Sequence, residues 1–95
     1  MAALRALFVE RCRADLAGLR GLRDCGDVAG VGVIVHRLAG AAGSFGFPDI
    51  SAAALAADQR IRDSGEIPAG EIERLLELLA ELREPDEPEA PPLRD

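Results

Sequence analysis

The sequence predicts an all-α domain, an antiparallel up-down-up-down four-helix bundle. Three observations predict it. Alanine, leucine, arginine and glutamate dominate the 95 residues, with alanine alone at 17 positions, and all four are strong helix formers. Apolar residues recur at spacings of three and four in four separate segments. Short stretches rich in Gly, Pro and Asp separate those segments, so successive helices have short connections and pack antiparallel. A chain of this length buries roughly 60–65% of its unfolded surface, enough for one core without staples.

The first helix covers residues 3 to about 22, where Leu4, Phe8, Cys12, Leu16 and Leu19 form one apolar stripe. Asp24-Cys25-Gly26-Asp27 breaks it, and Asp27 suits the N-cap of the next helix. Residues 28–45 form that second helix. The β-branched run Val31-Gly32-Val33-Ile34-Val35 also reads as a strand, but no second strand candidate exists to pair with it. Val31, Ile34, Leu38, Ala41/Ala42 and Phe45 carry a helical stripe well past the run. Gly46-Phe47-Pro48-Asp49 is a turn, with Pro48 opening a third helix over about 48–64 whose face is Ile50, Ala54, Ala57 and Ile61. Gly65 ends it. Pro68 opens a fourth helix that stops before Pro85, with Ile72, Leu75, Leu76, Leu79 and Leu82 inside and Glu73, Glu77 and Glu81 outside. Each helix is expected to run roughly 15–20 residues, as in bundles of this kind. The bundle is expected over residues 1–84. Residues 85–95 form a Pro-rich acidic tail expected to be disordered.

Composition excludes several chemistries. There is no lysine, hence no Walker A loop, Schiff base or lysine nucleophile. One histidine and two cysteines supply too few soft ligands for a four-ligand zinc site, so no metal is expected. A net charge of −6 and three Phe as the only aromatics disfavour nucleic acid. No run of 18 uncharged apolar residues spans a membrane, and MAALRALFVERCR is too short and too charged for a signal peptide. Cys12 and Cys25 lie far apart and are expected to be free thiols, Cys12 as core filler, in a cytoplasmic protein.

His36, the only histidine, lies opposite the buried stripe on a helical wheel of residues 28–45 and therefore faces solvent. Around it on the same face are Gly32, Ala39, Gly40 and Gly43, none with a side chain larger than methyl. Each helical glycine costs roughly 0.5–1 kcal/mol relative to alanine. Two explanations stand: a bare backbone that lets another macromolecule approach the imidazole, or tight packing against a neighbouring helix.

These residues carry a resemblance. His36-Arg37-Leu38-Ala39-Gly40-Ala41-Ala42-Gly43-Ser44-Phe45-Gly46 resembles the phosphorylation motif of histidine phosphotransfer (HPt) domains, the intermediates of bacterial multistep phosphorelays. The family pattern H-x-L-K-G-[SA]-[SA]-x-x-[LF]-G is matched at His36, Leu38, Gly40, Ala41, Ala42, Phe45 and Gly46. Ile50, Ala54, Ala57 and Asp58 are similar to the family's next helix, L-x-x-x-C-x-x-L-E. The family lysine three residues after the histidine is Ala39 here. Arg37, Gln59 and Arg62 are the candidates to balance phosphate charge in its place, and residues near 58 come level with His36 across an antiparallel hairpin.

The resemblance implies that His36 accepts a phosphoryl group from the aspartyl phosphate of a response-regulator receiver domain and passes it to a second receiver. A hybrid histidine kinase is the other expected partner. Mg²⁺ is expected on the receiver and no cofactor on this chain, which is expected to act as a monomer without ATP-dependent kinase activity. Val33 and Leu55 are candidates for the docking patch. Two other readings remain: a degenerate HPt module that binds a receiver or kinase without carrying phosphate, and an adaptor bundle unrelated to signalling.

Overall fold

The computed structural model describes residues 2–82. They form four helices, α1 (Ala2–Cys25), α2 (Val28–Ser44), α3 (Pro48–Ser64) and α4 (Ala69–Ala80), and no strand occurs among the described residues. The β-branched run 31–35 therefore lies within α2. The acidic tail falls outside the described residues. α2 and α3 have 17 residues each, but α1 is longer than expected at 24 and α4 shorter at 12.

Each helix packs on its neighbours in sequence, and α4 closes the ring against α1; the diagonal pairs do not bring their Cα atoms within 8 Å among the described residues. Short connections between packed neighbours make the order up-down-up-down. The two connections that flank α2 share one device. At the end of α1, Gly26 N–H bonds to Arg23 O (3.1 Å) and Asp27 N–H to Leu22 O (2.9 Å). At the end of α2, Gly46 N–H bonds to Gly43 O (3.2 Å) and Phe47 N–H to Ala42 O (2.9 Å). Both are Schellman closures, which need a left-handed residue, and Gly26 (φ 75°) and Gly46 (φ 86°) supply it.

Asp27 closes α1 and also caps α2, its side chain accepting from Gly30 N–H at 3.0 Å. A Cβ on Gly30 would lie 2.8 Å from Leu22 Cδ2 and 2.9 Å from Asp27 Oδ2, so the Leu22 side chain and the capping carboxylate would have to shift to admit one. Pro48 opens α3 and Gly65 closes it, donating to Ile61 O at 2.7 Å. α4 ends at Ala80, ahead of Pro85, in a tightened turn with Leu82 N–H on Leu79 O.

The core is built from Phe8, Val9, Cys12 and Leu19 of α1, Val31, Val35, Leu38 and Ala42 of α2, Ile50, Ala54 and Ala57 of α3, and Ile72, Leu75, Leu76 and Leu79 of α4. Two details differ from the wheel. The buried centre of α2 is displaced toward Val35, leaving Ile34, Ala41 and Phe45 half-buried. Leu4, expected in the α1 stripe, is 47% exposed, because α1 rolls to bury Val9 and Asp15. Phe8 stacks on Phe45 and Phe47 with ring centroids 4.9 and 5.7 Å away, and the Arg5 guanidinium lies over Phe47. This cluster ties the start of α1 to the α2–α3 turn.

Candidate functional site

The site is built on the α2–α3 hairpin, the most extensively packed helix pair. Ala54 and Ala57 are fully buried in α3, and their small side chains allow the two helices to approach closely. The Ser51 hydroxyl donates to Ala39 O at 2.7 Å and fixes the register near the turn. That register brings His36 level with Asp58.

The His36 side chain is 67% exposed, while Asp58 behind it is buried. His36 Nδ1 lies 3.2 Å from Asp58 Oδ2. Arg62, one turn further along α3, donates from Nε to the same Oδ2 at 3.2 Å, and its Nη2 lies 3.1 Å from His36 Nδ1. Nε2 makes no hydrogen bond to any described residue and is the ring nitrogen left for solvent. Burial pushes the Asp58 carboxyl up, but the hydrogen bond with His36 and the charge and hydrogen bond of Arg62 outweigh it, and the net direction is down. Asp58 is thus a buried carboxylate, held by Arg62 and placed at the inner edge of an exposed imidazole.

The charge candidates separate. Arg62 is at the imidazole. Arg37 is not: it turns to α1 and binds buried Asp15 through two bonds of 2.9 Å. That bidentate pair raises the Arg37 pKa further and occupies both terminal nitrogens, so Arg37 serves as a tie between α1 and α2. The tie was hidden because its partner lies 22 residues away. Gln59 is exposed on α3 and makes no hydrogen bond to His36.

The small residues around His36 also divide. A Cβ on Gly43 would meet Ser51 Oγ at 3.5 Å and one on Gly32 would reach Ile61 Cγ2 at 4.0 Å, so both lie toward α3. Ala39 is half-buried. Gly40 alone faces open space, with nothing within 4 Å of an added Cβ. Gly40 is thus the most open of the four positions, while an added methyl at Gly32 or Gly43 would make ordinary contact with α3. Val33 (67% exposed) precedes His36 by one turn, and Leu55 (47% exposed) precedes Asp58 by one turn. In an antiparallel pair they lie on opposite sides of the imidazole.

Cys12 is buried and Cys25 exposed, and both are free. Burial, with Asp15 nearby, pushes the Cys12 thiol up to about 12 against a small opposing effect of Arg37, so it is unreactive at neutral pH. No group of three or more His, Cys, Asp or Glu side chains able to hold a metal occurs among the described residues. No helix among them is long and apolar enough to cross a membrane.

The described residues thus combine a four-helix fold with an exposed histidine backed by a buried carboxylate. A family model, the Hpt domain, matches residues 3–85. The chain belongs to that family, whose domains act in histidine phosphotransfer with receiver domains and kinases. Neither the curated proteins nor the solved structures contain a match to the chain. Asp58 was the residue underrated by sequence reasoning. Its signals were its place level with His36 across the hairpin and the acidic residue at that position in the family pattern.

Proposed function

We propose that this protein relays a phosphoryl group between receiver-domain aspartates through His36, as a cytoplasmic monomer of a two-component pathway. The observation that carries the reading is the polarised imidazole. Nδ1 faces Asp58 at 3.2 Å, while Nε2 is free of protein partners on a 67% exposed side chain. The reactive form is the ring with its proton on Nδ1, donated to Asp58, which leaves the Nε2 lone pair directed outward. That lone pair attacks phosphorus in line with the leaving aspartate oxygen. The N–P bond forms, the P–O bond to the aspartate breaks, and its electron pair stays on the carboxylate. The ring becomes cationic and Asp58 balances it. Phosphoryl transfer of this kind needs alignment and charge stabilisation more than covalent help. In this reading the partner supplies Mg²⁺ and the acidic pocket, and this chain supplies a rigid nucleophile. Val33 and Leu55 give the receiver apolar footholds around the imidazole, and open Gly40 lets it approach the α2 backbone.

One observation favours a second reading, a module that binds a receiver without carrying phosphate: Ala39 stands where the family pattern has lysine. Transfer from a radiolabelled phospho-receiver to wild type and His36→Gln separates the two. The relay predicts acid-labile, alkali-stable label on wild type and none on His36→Gln, with receiver binding retained by both. Binding without label on either would establish the module.

A further inference from the structure

The His36 Nδ1 atom has two suitors that cannot be satisfied together. Asp58 Oδ2 at 3.2 Å is an acceptor and requires Nδ1 to carry a proton. Arg62 Nη2 at 3.1 Å is a donor and requires Nδ1 to present a lone pair. A neutral imidazole has one proton for its two nitrogens. When Nδ1 donates to Asp58, Nε2 presents its lone pair outward. When Nδ1 accepts from Arg62, the proton sits on Nε2 and that nitrogen has no lone pair with which to attack.

We propose that Arg62 is a positioning residue that gates His36 by holding it in the unreactive tautomer, and that an arriving phosphoryl group opens the gate. The inference rests on the phosphoacceptor reading above. Three features support it. Arg62 Nε also donates to Asp58 Oδ2, so the guanidinium is anchored where it can hold Nδ1 and weaken the pull of the carboxylate for the ring proton. The Arg62 side chain is 63% exposed, so no burial prevents it from turning outward. A guanidinium is a planar fork suited to phosphoryl oxygens, and an incoming phosphoryl dianion outcompetes a neutral imidazole for it.

The sequence of events balances. The phosphoryl oxygens draw Arg62 off Nδ1. The ring loses its Nε2 proton to water and takes one from water at Nδ1, leaving the solvent unchanged, and Asp58 accepts the new N–H as a hydrogen bond. Nε2 then forms the N–P bond while the P–O bond to the receiver aspartate breaks toward oxygen. Arg62 is left on the phosphoryl oxygens and Asp58 on the Nδ1 proton. The role that the family pattern gives to a lysine on α2 passes here to an arginine on α3, and with it comes control of the tautomer.

The full chain contains a single histidine, so its ring nitrogens are read without ambiguity by long-range ¹H–¹⁵N NMR at a pH where the ring is neutral. The expected result is mainly the Nε2–H form in wild type and a shift toward Nδ1–H in Arg62→Ala, by about fivefold in tautomer ratio for a hydrogen bond of ordinary net strength. Arg62→Lys, which keeps a donor, should restore part of the Nε2–H population. Two reagents give a second readout. Diethyl pyrocarbonate is neutral and cannot draw Arg62 away, so it should modify His36 faster in Arg62→Ala. Phosphoramidate carries the anionic group, so it should phosphorylate His36 more slowly in that variant. Equal tautomer ratios in wild type and Arg62→Ala, with phosphohistidine still formed, would overturn the gate and leave the phosphoacceptor reading standing. A tautomer shift with no phosphohistidine from phosphoramidate or any phospho-receiver would overturn the reading on which the gate rests.

Discussion

The α2–α3 hairpin and α1 are held to the bundle in different ways. The hairpin packs through small side chains, Ala42, Ala54 and Ala57, all fully buried, and its two helices lie close along their length. α1 meets α2 less extensively and adds a bidentate ion pair, Asp15 to Arg37, and an aromatic cluster at its start. Close helix contact fixes the register of His36 against Asp58, which the proposed phosphoacceptor role needs. Directional ties suffice for a helix that closes the core and takes no part in the proposed chemistry. Stability and function are therefore partly separable in this molecule.

Thiol labelling gives the widest contrast between the regions. Cys25 should react with a maleimide at once, while Cys12 should be protected on the order of a hundredfold or more, reacting only when α1 opens. Equal rates would mean that α1 does not seal the core. The next effect is energetic. Arg37→Ala leaves the Asp15 carboxylate buried and unpaired and should cost about 2–4 kcal/mol in urea unfolding, less than a fully buried pair because Arg37 is partly exposed. Replacing both residues with apolar ones should recover much of that loss. Phosphotransfer per folded molecule should hold in either variant.

On the hairpin side, Ala57→Val overpacks a closed helix contact and should cost about 1–3 kcal/mol. Unlike Arg37→Ala, it should also impair transfer by displacing Asp58 from His36. The acid limb tests Asp58 itself. Its folded pKa is depressed, so its contribution is complete above the unfolded carboxylate value, about 3.9, and is lost as pH falls through the folded value. Asp58→Asn should therefore remove stability at pH 7 and leave less of it to lose on acidification. The smallest effect is the most telling for docking. Gly40→Ala meets open space, so it should stabilise the fold by about 0.5–1 kcal/mol while weakening receiver binding. Unchanged receiver affinity would remove Gly40 from the docking face.

Much of this was legible in the sequence where the signal was local. Asp27, Pro48 and Gly65 marked helix ends through their own backbone chemistry, and the three-four spacing placed most of the core. His36 on the outer face followed from periodicity alone. Long-range pairing was not legible. Arg37 read as a candidate to balance phosphate charge because nothing in its own segment reveals Asp15, 22 residues away. The two explanations for the glycines stayed open in the sequence because a wheel shows angle but not the neighbour: only α3 reveals that Gly43 and Gly32 lie toward Ser51 and Ile61 while Gly40 faces open space.

The most direct measurement is the site of the N–P bond. Phosphorylating the full chain from a phospho-receiver and reading ³¹P and ¹⁵N spectra identifies the modified nitrogen of its one histidine. Phosphate on Nε2, with Nδ1 protonated against Asp58, is the expected result. Phosphate on Nδ1, or on any residue other than His36, would mean that the geometry around Asp58 and Arg62 does not direct the chemistry.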